Sequence, residues 1–186
     1  MHPLPKTIAC LLTAIFLISG RAGAQENETA LVEKSSLGKT KNVHKAGDLF
    51  FSGQFAPDDV EEMSNSKIAR VVTLRTDGEV SWDEEAKVKS AGLEFVKVPF
   101  QSPESLTDDV FGKIRELMKD KSKKTLFHCG SANRVAGVWL PYRVLDEGVE
   151  LQQALKEAEE IGLRSPAIKA KALDYIKKKG QTRAER

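Results

Sequence analysis

Residues 124–143 read KTLFHCGSANRVAGVWLPYR and predict a strand that passes directly into a helix. The strand covers Lys124 to His128, and the helix extends from about Val135 to Asp146. Small residues, Gly130 to Ala132, form the turn between them. A strand, a short turn and a helix in this order are the repeating unit of a parallel sheet. In such sheets ligands bind beyond the carboxyl ends of the strands.

The rest of the chain repeats this alternation of strands and helices. Further strands are predicted at 49–53, 69–74 and 93–99, and further helices begin near Pro57, Asp83 and Ser105 or cover 151–161 and 166–178. The predicted fold is therefore α/β, with a mainly parallel central sheet of about four to five strands flanked by helices.

The first 24 residues have the pattern of a secretory signal peptide. Lys6 supplies positive charge, Thr7 to Gly20 form an apolar run, and Ala22 to Ala24 offer a small-x-small cleavage pattern. The apolar run is shorter than the roughly 20 residues of a membrane-spanning helix, which disfavours the alternative of an uncleaved anchor. We therefore expect an exported protein, periplasmic or secreted, without stable membrane insertion after cleavage.

The sequence divides into four segments by composition. They are a signal peptide at 1–24, a flexible polar leader at 25–43, a folded domain at 44–180 and a basic C-terminal tail at 181–186. Removal of residues 1–24 takes away Lys6 and Arg21 but no acid, and leaves 27 basic and 27 acidic side chains. This balance argues against nucleic acid as a partner.

Cys129 is the only cysteine outside the predicted signal peptide, because Cys10 lies within it. No intramolecular disulfide can then form, and an unpaired thiol in an oxidising compartment is prone to oxidation. A lone cysteine is often a small buried hydrophobe. The position of Cys129, at the end of a predicted strand and before a loop of small residues, instead favours a catalytic thiolate.

The loop that follows Cys129 has the features of an anion site. Its backbone N–H groups can point inward, and the next helix adds the positive end of its dipole. Arg134 supplies a fixed positive charge that binds oxyanions bidentately, and this field favours thiolate over thiol. We therefore predict catalysis by Cys129 and Arg134, through a cysteinyl-phosphate that water hydrolyses. The predicted phosphate-binding residues are Gly130, Ser131, Ala132, Asn133 and Arg134.

The two histidines outside the signal peptide, His44 and His128, belong to no cluster with metal-ligand spacing. We therefore expect neither a metal nor another cofactor. His128 precedes Cys129 on the strand, so the two side chains should point in opposite directions. We expect His128 to order the loop through hydrogen bonds rather than to act as a base.

Three polar residues near the predicted site each admit two interpretations. Arg75 ends a neighbouring strand and either faces the site or forms a surface ion pair. Asp77 follows the same strand end and either faces the site or belongs to an ordinary Asp-Gly turn. Asn133 either braces the loop with its amide or tolerates an unusual backbone angle.

Several blocks of the sequence resemble a known family. They are Phe51-Ser52-Gly53-Gln54, Val72-Thr73-Leu74-Arg75, Gly92-Leu93-Glu94-Phe95, Val98-Pro99 and the run from His128 to Val135, and the likeness covers about residues 44–165. The chain is similar to the Cys-dependent protein tyrosine and dual-specificity phosphatases, and more closely to the phosphatase-like domain of beta-lactamase hydrolase-like proteins. The resemblance implies a dual-specificity-phosphatase-like fold. It also implies metal-independent hydrolysis of phosphotyrosine or phosphoserine in a protein, or of a small phosphoester.

Phosphatases of this family carry an upstream aspartate that protonates the leaving oxygen. The matching segment, residues 100–105, reads FQSPES and contains no aspartate. The resemblance therefore leaves Glu104 as a possible general acid, and a solvated turn residue is the other interpretation. Asp108 and Asp109 are interpreted as helix-capping residues.

The spacing of the loop leaves two alternatives open. Four residues separate Cys129 from Arg134, one fewer than in most Cys-dependent phosphatases. This spacing also resembles that of rhodaneses, which implies a sulfurtransferase that carries a persulfide on Cys129. The missing aspartate admits a third interpretation, a phosphate-binding module without turnover.

Overall fold

A six-stranded sheet runs through the centre of the protein, whose computed structural model describes residues 31–184. The strands are β1 (Glu33–Lys34), β2 (His44–Ala46), β3 (Leu49–Ser52), β4 (Arg70–Thr73), β5 (Glu94–Lys97) and β6 (Thr125–His128). Their order is β1-β2-β3-β6-β4-β5; β3, β6, β4 and β5 run parallel, and the pairs β1–β2 and β2–β3 are antiparallel. The predicted α/β fold with a mainly parallel sheet is confirmed, with one strand more than expected.

Helices cover both faces of the sheet. They are α1 (Asp59–Asn65), α2 (Glu84–Ser90), α3 (Asp108–Lys119), α4 (Asn133–Leu145), α5 (Leu151–Ile161) and α6 (Pro166–Ala184), with 3-10 turns at Asp77–Glu79 and Pro103–Ser105. Neighbouring strand residues face opposite clusters: Val71 packs with α1 and α2, and Val72 packs with α3 to α6. Within residues 31–184 no helix combines the length and apolar character needed to cross a membrane.

Three predicted segments lie wholly or partly outside the described residues. These are the whole predicted signal peptide (1–24), residues 25–30 of the predicted leader and residues 185–186 of the predicted tail.

Residues 31–43 differ from the flexible leader that their polarity predicted. They include β1, which pairs with β2, and Leu37, which is fully buried. Asp59 accepts hydrogen bonds from Lys39 N at 2.8 Å and from Thr40 Oγ1 at 2.9 Å. Polar and main-chain contacts hold much of this segment in place. Such contacts leave no periodic pattern of apolar residues, so the sequence did not predict that the segment is structured. The folded domain therefore begins before the predicted start at residue 44.

The C-terminal helix is longer than its sequence pattern indicated. α6 continues to Ala184, beyond the predicted end at residue 178. It therefore includes most of the segment predicted as a basic tail, 181–186.

Gly137 allows α4 to pack closely against α6. A Cβ atom on Gly137 would lie 2.2 Å from Cγ2 of Ile168, whose branched side chain is stiff. Gly137→Ala should therefore lower the free energy of unfolding by about 1–3 kcal/mol through overpacking. The higher helix propensity of alanine should offset roughly 1 kcal/mol of this loss. Denaturant unfolding measures the net effect.

Gly112 in α3 is the matched control for this substitution. A Cβ atom on Gly112 would meet nothing within 4 Å. Gly112→Ala should therefore raise the free energy of unfolding by roughly 0.5–1 kcal/mol. Stabilisation by both substitutions would contradict a tight contact between α4 and α6 at Gly137.

Candidate active site

Cys129 lies at the carboxyl end of β6, the strand between the parallel neighbours β3 and β4. Its backbone N–H donates to Ser52 O at 3.3 Å, and its side chain is almost completely buried. Residues 130–132 connect it to α4. The candidate nucleophile therefore sits where the carboxyl ends of parallel strands meet, the usual ligand edge of such a sheet.

Two carbonyl groups of the loop are held by neighbouring segments. Gly130 O accepts a hydrogen bond from Gln54 N at 3.2 Å, and Ser131 O accepts one from Asn42 Nδ2 at 3.3 Å. In a trans peptide the N–H points opposite to the C=O, so the N–H of Ser131 points away from Gln54, whereas the antiparallel bridge between Gly53 and Ser131 directs the N–H of Ala132 towards β3. Ala132 has a left-handed backbone (φ 70°), which turns the chain into α4. A backbone N–H of such a loop that is not used within the fold, such as that of Ser131, can bind an anion.

Arg134 is held at one end of its guanidinium by three residues. Nη1 donates to Leu74 O at 3.0 Å and to Phe100 O at 2.7 Å. Glu79 accepts from both nitrogens, with Oε2 2.9 Å from Nη1 and Oε1 2.6 Å from Nη2. Among the described residues, these contacts leave the edge formed by Nε and the second hydrogen of Nη2. Nη2 lies 4.0 Å from where a Cβ atom on Gly130 would be, so this edge is beside the loop.

Glu79 and Arg134 stabilise each other's charged forms. Hydrogen bonds from Arg134 lower the pKa of Glu79 to about 2, with help from Thr76 and against partial burial. Burial alone would lower the pKa of Arg134, but the hydrogen bonds to Glu79 and the attraction to Cys129 raise it. The site therefore keeps a permanent positive charge beside the nucleophile.

Glu79→Gln should destabilise the protein at neutral pH, by an amount that shrinks in acid. The pKa of Glu79 is lowered from 4.5 to about 2, so its ion pair stabilises fully above pH 4.5 and is lost as the pH falls through about 2. The full shift corresponds to roughly 3 kcal/mol, and partial exposure reduces the expected loss at neutral pH to about 1–2 kcal/mol. Denaturant unfolding of both proteins from about pH 7 to pH 3 measures the difference.

Glu116→Gln in α3 is the matched control. Glu116 pairs with Lys119, but its side chain is 72% exposed. Such a surface pair contributes little to the free energy of unfolding. A loss in Glu79→Gln that stays constant down to about pH 3 would contradict the ionised Glu79–Arg134 pair.

Asn133 faces the turn between α5 and α6. Its Oδ1 accepts hydrogen bonds from the backbone N–H groups of Arg164 (2.7 Å) and Ser165 (3.1 Å). The side chain therefore braces the loop against this turn, and the unusual backbone angle belongs to Ala132 instead. Because its carboxamide oxygen is engaged, the predicted phosphate binding by Asn133 rests on its backbone.

His128 points to the opposite face of the sheet from Cys129. It is fully buried, and its Nε2 lies 3.4 Å from Oε2 of Glu84. The other carboxylate oxygen of Glu84 accepts a hydrogen bond from Gln54 Nε2 at 2.7 Å. His128 is therefore connected to the loop through Glu84 and Gln54, whose backbone N–H binds Gly130 O. This connection is consistent with the predicted role of His128 in ordering the loop.

Arg75 and Asp77 make contacts in different places. Arg75 donates to Gln54 Oε1 and to the backbone oxygen of Glu79, so it lies directly behind the carboxylate that holds Arg134. Asp77 is exposed and pairs with Lys97 at 2.7 Å. Of these two residues, the structure brings only Arg75 to the site.

Glu104 is exposed in the 3-10 turn Pro103–Ser105. A hydrogen bond from Ser102 and one from its own backbone N–H lower the pKa of Glu104, and Lys171 adds to the effect. A lowered pKa makes a carboxyl group a poorer proton donor at neutral pH. Every carboxyl group of residues 31–184 whose pKa is shifted is shifted downward, so none of them is tuned as an acid.

Sequence reasoning missed Glu79, Gln54 and Asn42. Thr76 and Glu79 form a capping box just after β4. This Thr-x-x-Glu pattern at the carboxyl end of a strand could have indicated that Glu79 lies near the site. Gln54 and Asn42 had no such signal, because their contacts depend on how the chain around β2 and β3 lies beside the loop. Within residues 31–184 no group of three or more side chains is arranged to hold a metal ion.

Solved structures share the fold of this chain, although no protein-family model matches it and no curated protein does. A DUF442 protein from Shewanella putrefaciens CN-32 is 18% identical, with a TM-score of 0.64, and the match covers 76% of this chain and 95% of that one. TpbA from P. aeruginosa, in complex with pTyr, is 18% identical, with a TM-score of 0.63 and coverage of 81% and 90%. PTPMT1 is 14% identical, with a TM-score of 0.61 and coverage of 74% and 95%.

These likenesses concern the fold. The chain has the architecture of the protein tyrosine and dual-specificity phosphatase-like proteins, as its sequence blocks predicted. The narrower likeness to the domain of beta-lactamase hydrolase-like proteins stays a prediction.

Proposed function

We propose that the protein is a Cys-dependent phosphatase that hydrolyses phosphoesters through a cysteinyl-phosphate intermediate on Cys129. One observation carries the proposal: Glu79 clamps one edge of Arg134 and leaves the second edge beside the loop that begins at Cys129. A phosphoryl group offers two oxygens to such an edge. The shared fold gives further support, because TpbA was solved in complex with pTyr.

In the proposed reaction the thiolate of Cys129 attacks phosphorus. The S–P bond forms while the bond to the leaving oxygen breaks, and that oxygen takes a proton from solvent. The N–H of Ser131 and the free edge of Arg134 hold the remaining oxygens, on which the transition-state charge is spread. Water then attacks phosphorus, releases inorganic phosphate and restores the thiolate.

Residues 100–105, which match the segment that carries the acidic aspartate in similar phosphatases, contain no aspartate, and this predicts which leaving groups are favoured. A general acid contributes about 10²–10⁴-fold, and a phenol needs it least because phenolate is a good leaving group. We therefore expect phosphotyrosine to exceed phosphoserine by roughly that factor in kcat/KM, measured on peptides of otherwise identical sequence. Equal values would contradict unassisted departure of the leaving group.

Parallel assays with an aryl phosphate and with thiosulfate separate phosphatase from sulfurtransferase. We expect phosphate release that vanadate inhibits and that persists with a chelator present. The four-residue spacing motivates the rhodanese-like alternative. A persulfide on Cys129 after thiosulfate treatment, without phosphate release, would support that alternative and contradict the phosphatase.

Arg134→Lys distinguishes turnover from simple phosphate binding. Lysine keeps the charge but has neither a bidentate edge nor the two-pronged contact to Glu79, so kcat/KM should fall by about 10²–10³-fold. Arg164→Lys is the matched control, because Arg164 is exposed and its guanidinium contacts the backbone oxygen of Glu159. If the wild-type protein released phosphate no faster than the uncatalysed reaction, that result would favour the phosphate-binding module without turnover and would contradict the proposal.

We also propose that the protein is exported, periplasmic or secreted, and acts there on a phosphorylated protein or a small phosphoester. The charge, apolar run and cleavage pattern of residues 1–24 support this proposal. N-terminal sequencing of the fractionated protein should give Gln25 as the first residue. A cytoplasmic protein that retains Met1 would contradict export.

A further inference from the structure

The segment before β2 reaches the loop that begins at Cys129. The side chain of Asn42 donates from Nδ2 to Ser131 O at 3.3 Å. One residue earlier, Lys41 O accepts a hydrogen bond from the backbone N–H of Gly53 at 3.1 Å, and Gly53 itself forms a β-bridge with Ser131. Residues 41 and 42 therefore meet the loop at Ser131, the residue whose N–H is available to an anion.

The contact with Asn42 fixes one of the two peptide groups that flank Ser131. The peptide that joins Gly130 to Ser131 has its oxygen on Gln54 N and carries the N–H of Ser131 on its other side. The next peptide has its oxygen on Asn42, while the β-bridge directs its N–H, that of Ala132, towards β3. A plane held by one hydrogen bond can still rock about it. Because the two planes meet at the Cα atom of Ser131, fixing the second restricts the direction of its N–H.

The backbone of Asn42 suits this position. It is left-handed, with φ 55°. Asparagine adopts this conformation more readily than most residues that carry a side chain, whereas alanine would strain it. Glycine adopts it without strain but supplies no donor. Asn42→Gly therefore removes the contact with Ser131 and leaves the turn unstrained.

Asp59, at the start of α1, anchors the same segment on its other side. This almost completely buried carboxylate accepts from Lys39 N at 2.8 Å, Thr40 Oγ1 at 2.9 Å and Ala56 N at 3.2 Å. Burial raises the pKa of Asp59, but these hydrogen bonds outweigh burial and lower it. A Cβ atom on Gly38 would lie 2.2 Å from Oδ1 of Asp59, so the segment packs directly on the carboxylate. Residues 38–42 are thus fixed to α1 on one side and rest against the loop on the other.

We propose that Asn42 is a positioning residue of the active site, and that residues 38–42 are a brace that directs the N–H of Ser131 towards the phosphoryl oxygens. A donor held in this way stabilises charge that develops in the transition state without having to reorganise. This inference deepens the proposed phosphatase function and rests on it for its meaning, but the affinity for oxyanions can be measured without turnover.

Calorimetric binding of vanadate and of inorganic phosphate tests the proposal. Vanadate becomes five-coordinate when a thiolate adds to it and so resembles the transition state, whereas inorganic phosphate resembles the ground state. Asn42→Gly should weaken vanadate binding by about three- to tenfold, and phosphate binding by less than about twofold. In turnover of an aryl phosphate, kcat should fall by the same factor as vanadate affinity while KM stays nearly constant. Unchanged vanadate affinity, or equal losses for the two anions, would overturn the proposal.

Lys67→Gly is the matched control for Asn42→Gly. Lys67 has a similar left-handed backbone (φ 59°) in the exposed turn between α1 and β4, which precedes the amino end of that strand. Its substitution makes the same backbone exchange on the edge of the sheet opposite to Cys129. We expect neither the affinity for vanadate nor that for phosphate to change. A loss of vanadate affinity equal to that of Asn42→Gly would overturn the proposal.

Thr40→Val tests whether the anchor at Asp59 acts through Asn42. Valine keeps the shape of threonine but has no hydroxyl donor, so the brace should loosen and vanadate affinity should fall, by no more than in Asn42→Gly. In a protein that already carries Asn42→Gly, Thr40→Val should cause no further fall. No fall in the single variant, or a further fall of the same size in the double variant, would overturn the proposal. The expected changes in vanadate affinity in a protein that releases no phosphate would contradict the proposed function and not this inference.

Discussion

Cys129→Ser should abolish hydrolysis of an aryl phosphate, with kcat reduced by a factor on the order of 10⁴–10⁶. Serine places an oxygen near the position of Sγ, but a hydroxyl is a weak nucleophile unless a base activates it. The nearest candidate in sequence, His128, faces Glu84 on the other side of β6. Steady-state kinetics of the wild-type protein and the variant measure the loss.

The same variant should still bind inorganic phosphate. The N–H groups of the loop and the guanidinium of Arg134 are unchanged, so calorimetry should give a dissociation constant within about tenfold of the wild-type value, or roughly 1.4 kcal/mol. Retained binding beside lost turnover distinguishes a missing nucleophile from a collapsed loop. A Cys129→Ser variant that still turns over substrate would contradict the nucleophilic role.

Glu157→Ala should have the largest effect on stability, a loss of about 3–5 kcal/mol in the free energy of unfolding. Glu157 in α5 binds Arg143 in α4 through contacts of 2.6 and 2.8 Å, and both side chains are almost completely buried. Trp139 Nε1 donates to the same carboxylate at 3.2 Å. Alanine leaves the guanidinium and the indole N–H without this partner. Glu147, which also contacts Arg143, offsets part of the loss.

Glu159→Ala on the same helix is the matched control for Glu157→Ala. Glu159 forms a partly exposed ion pair with Lys169 at 3.0 Å, and its removal should change the free energy of unfolding by less than about 1 kcal/mol. Denaturant unfolding of both variants gives the comparison. Equal losses would contradict the energetic importance of the buried Arg143–Glu157 pair.

The parallel part of the sheet could be predicted from the sequence because most of its strands are buried on both faces. β3, β4 and β6 are buried along their whole lengths, and such strands appear as continuous runs rich in apolar residues. β1 and β2 are short antiparallel strands that contain lysine and lie beside a polar segment. Their pairing depends on main-chain hydrogen bonds, which leave little trace in residue type.

The candidate site was readable where its residues are close in sequence. Cys129 and Arg134 lie five residues apart, at the end of β6 and in the first turn of α4, and the strand before them fixes their place at the edge of the sheet. Glu79 lies 55 residues before Arg134, and only the folded sheet brings the two together. Glu79 and Glu104 are the same residue type, yet one clamps the arginine and the other is exposed in a turn. Their environments, not their identities, decide these roles.

Trapping of the covalent intermediate tests most directly whether Cys129 attacks phosphorus. The wild-type protein would be mixed with an aryl phosphate, quenched in acid during turnover, digested and analysed by mass spectrometry. We expect the peptide that contains Cys129 to gain the mass of one phosphoryl group, and the same peptide from Cys129→Ser to remain unmodified. Turnover with the phosphoryl group on a different residue, or with no covalent phosphoryl group at all, would contradict the cysteinyl-phosphate mechanism.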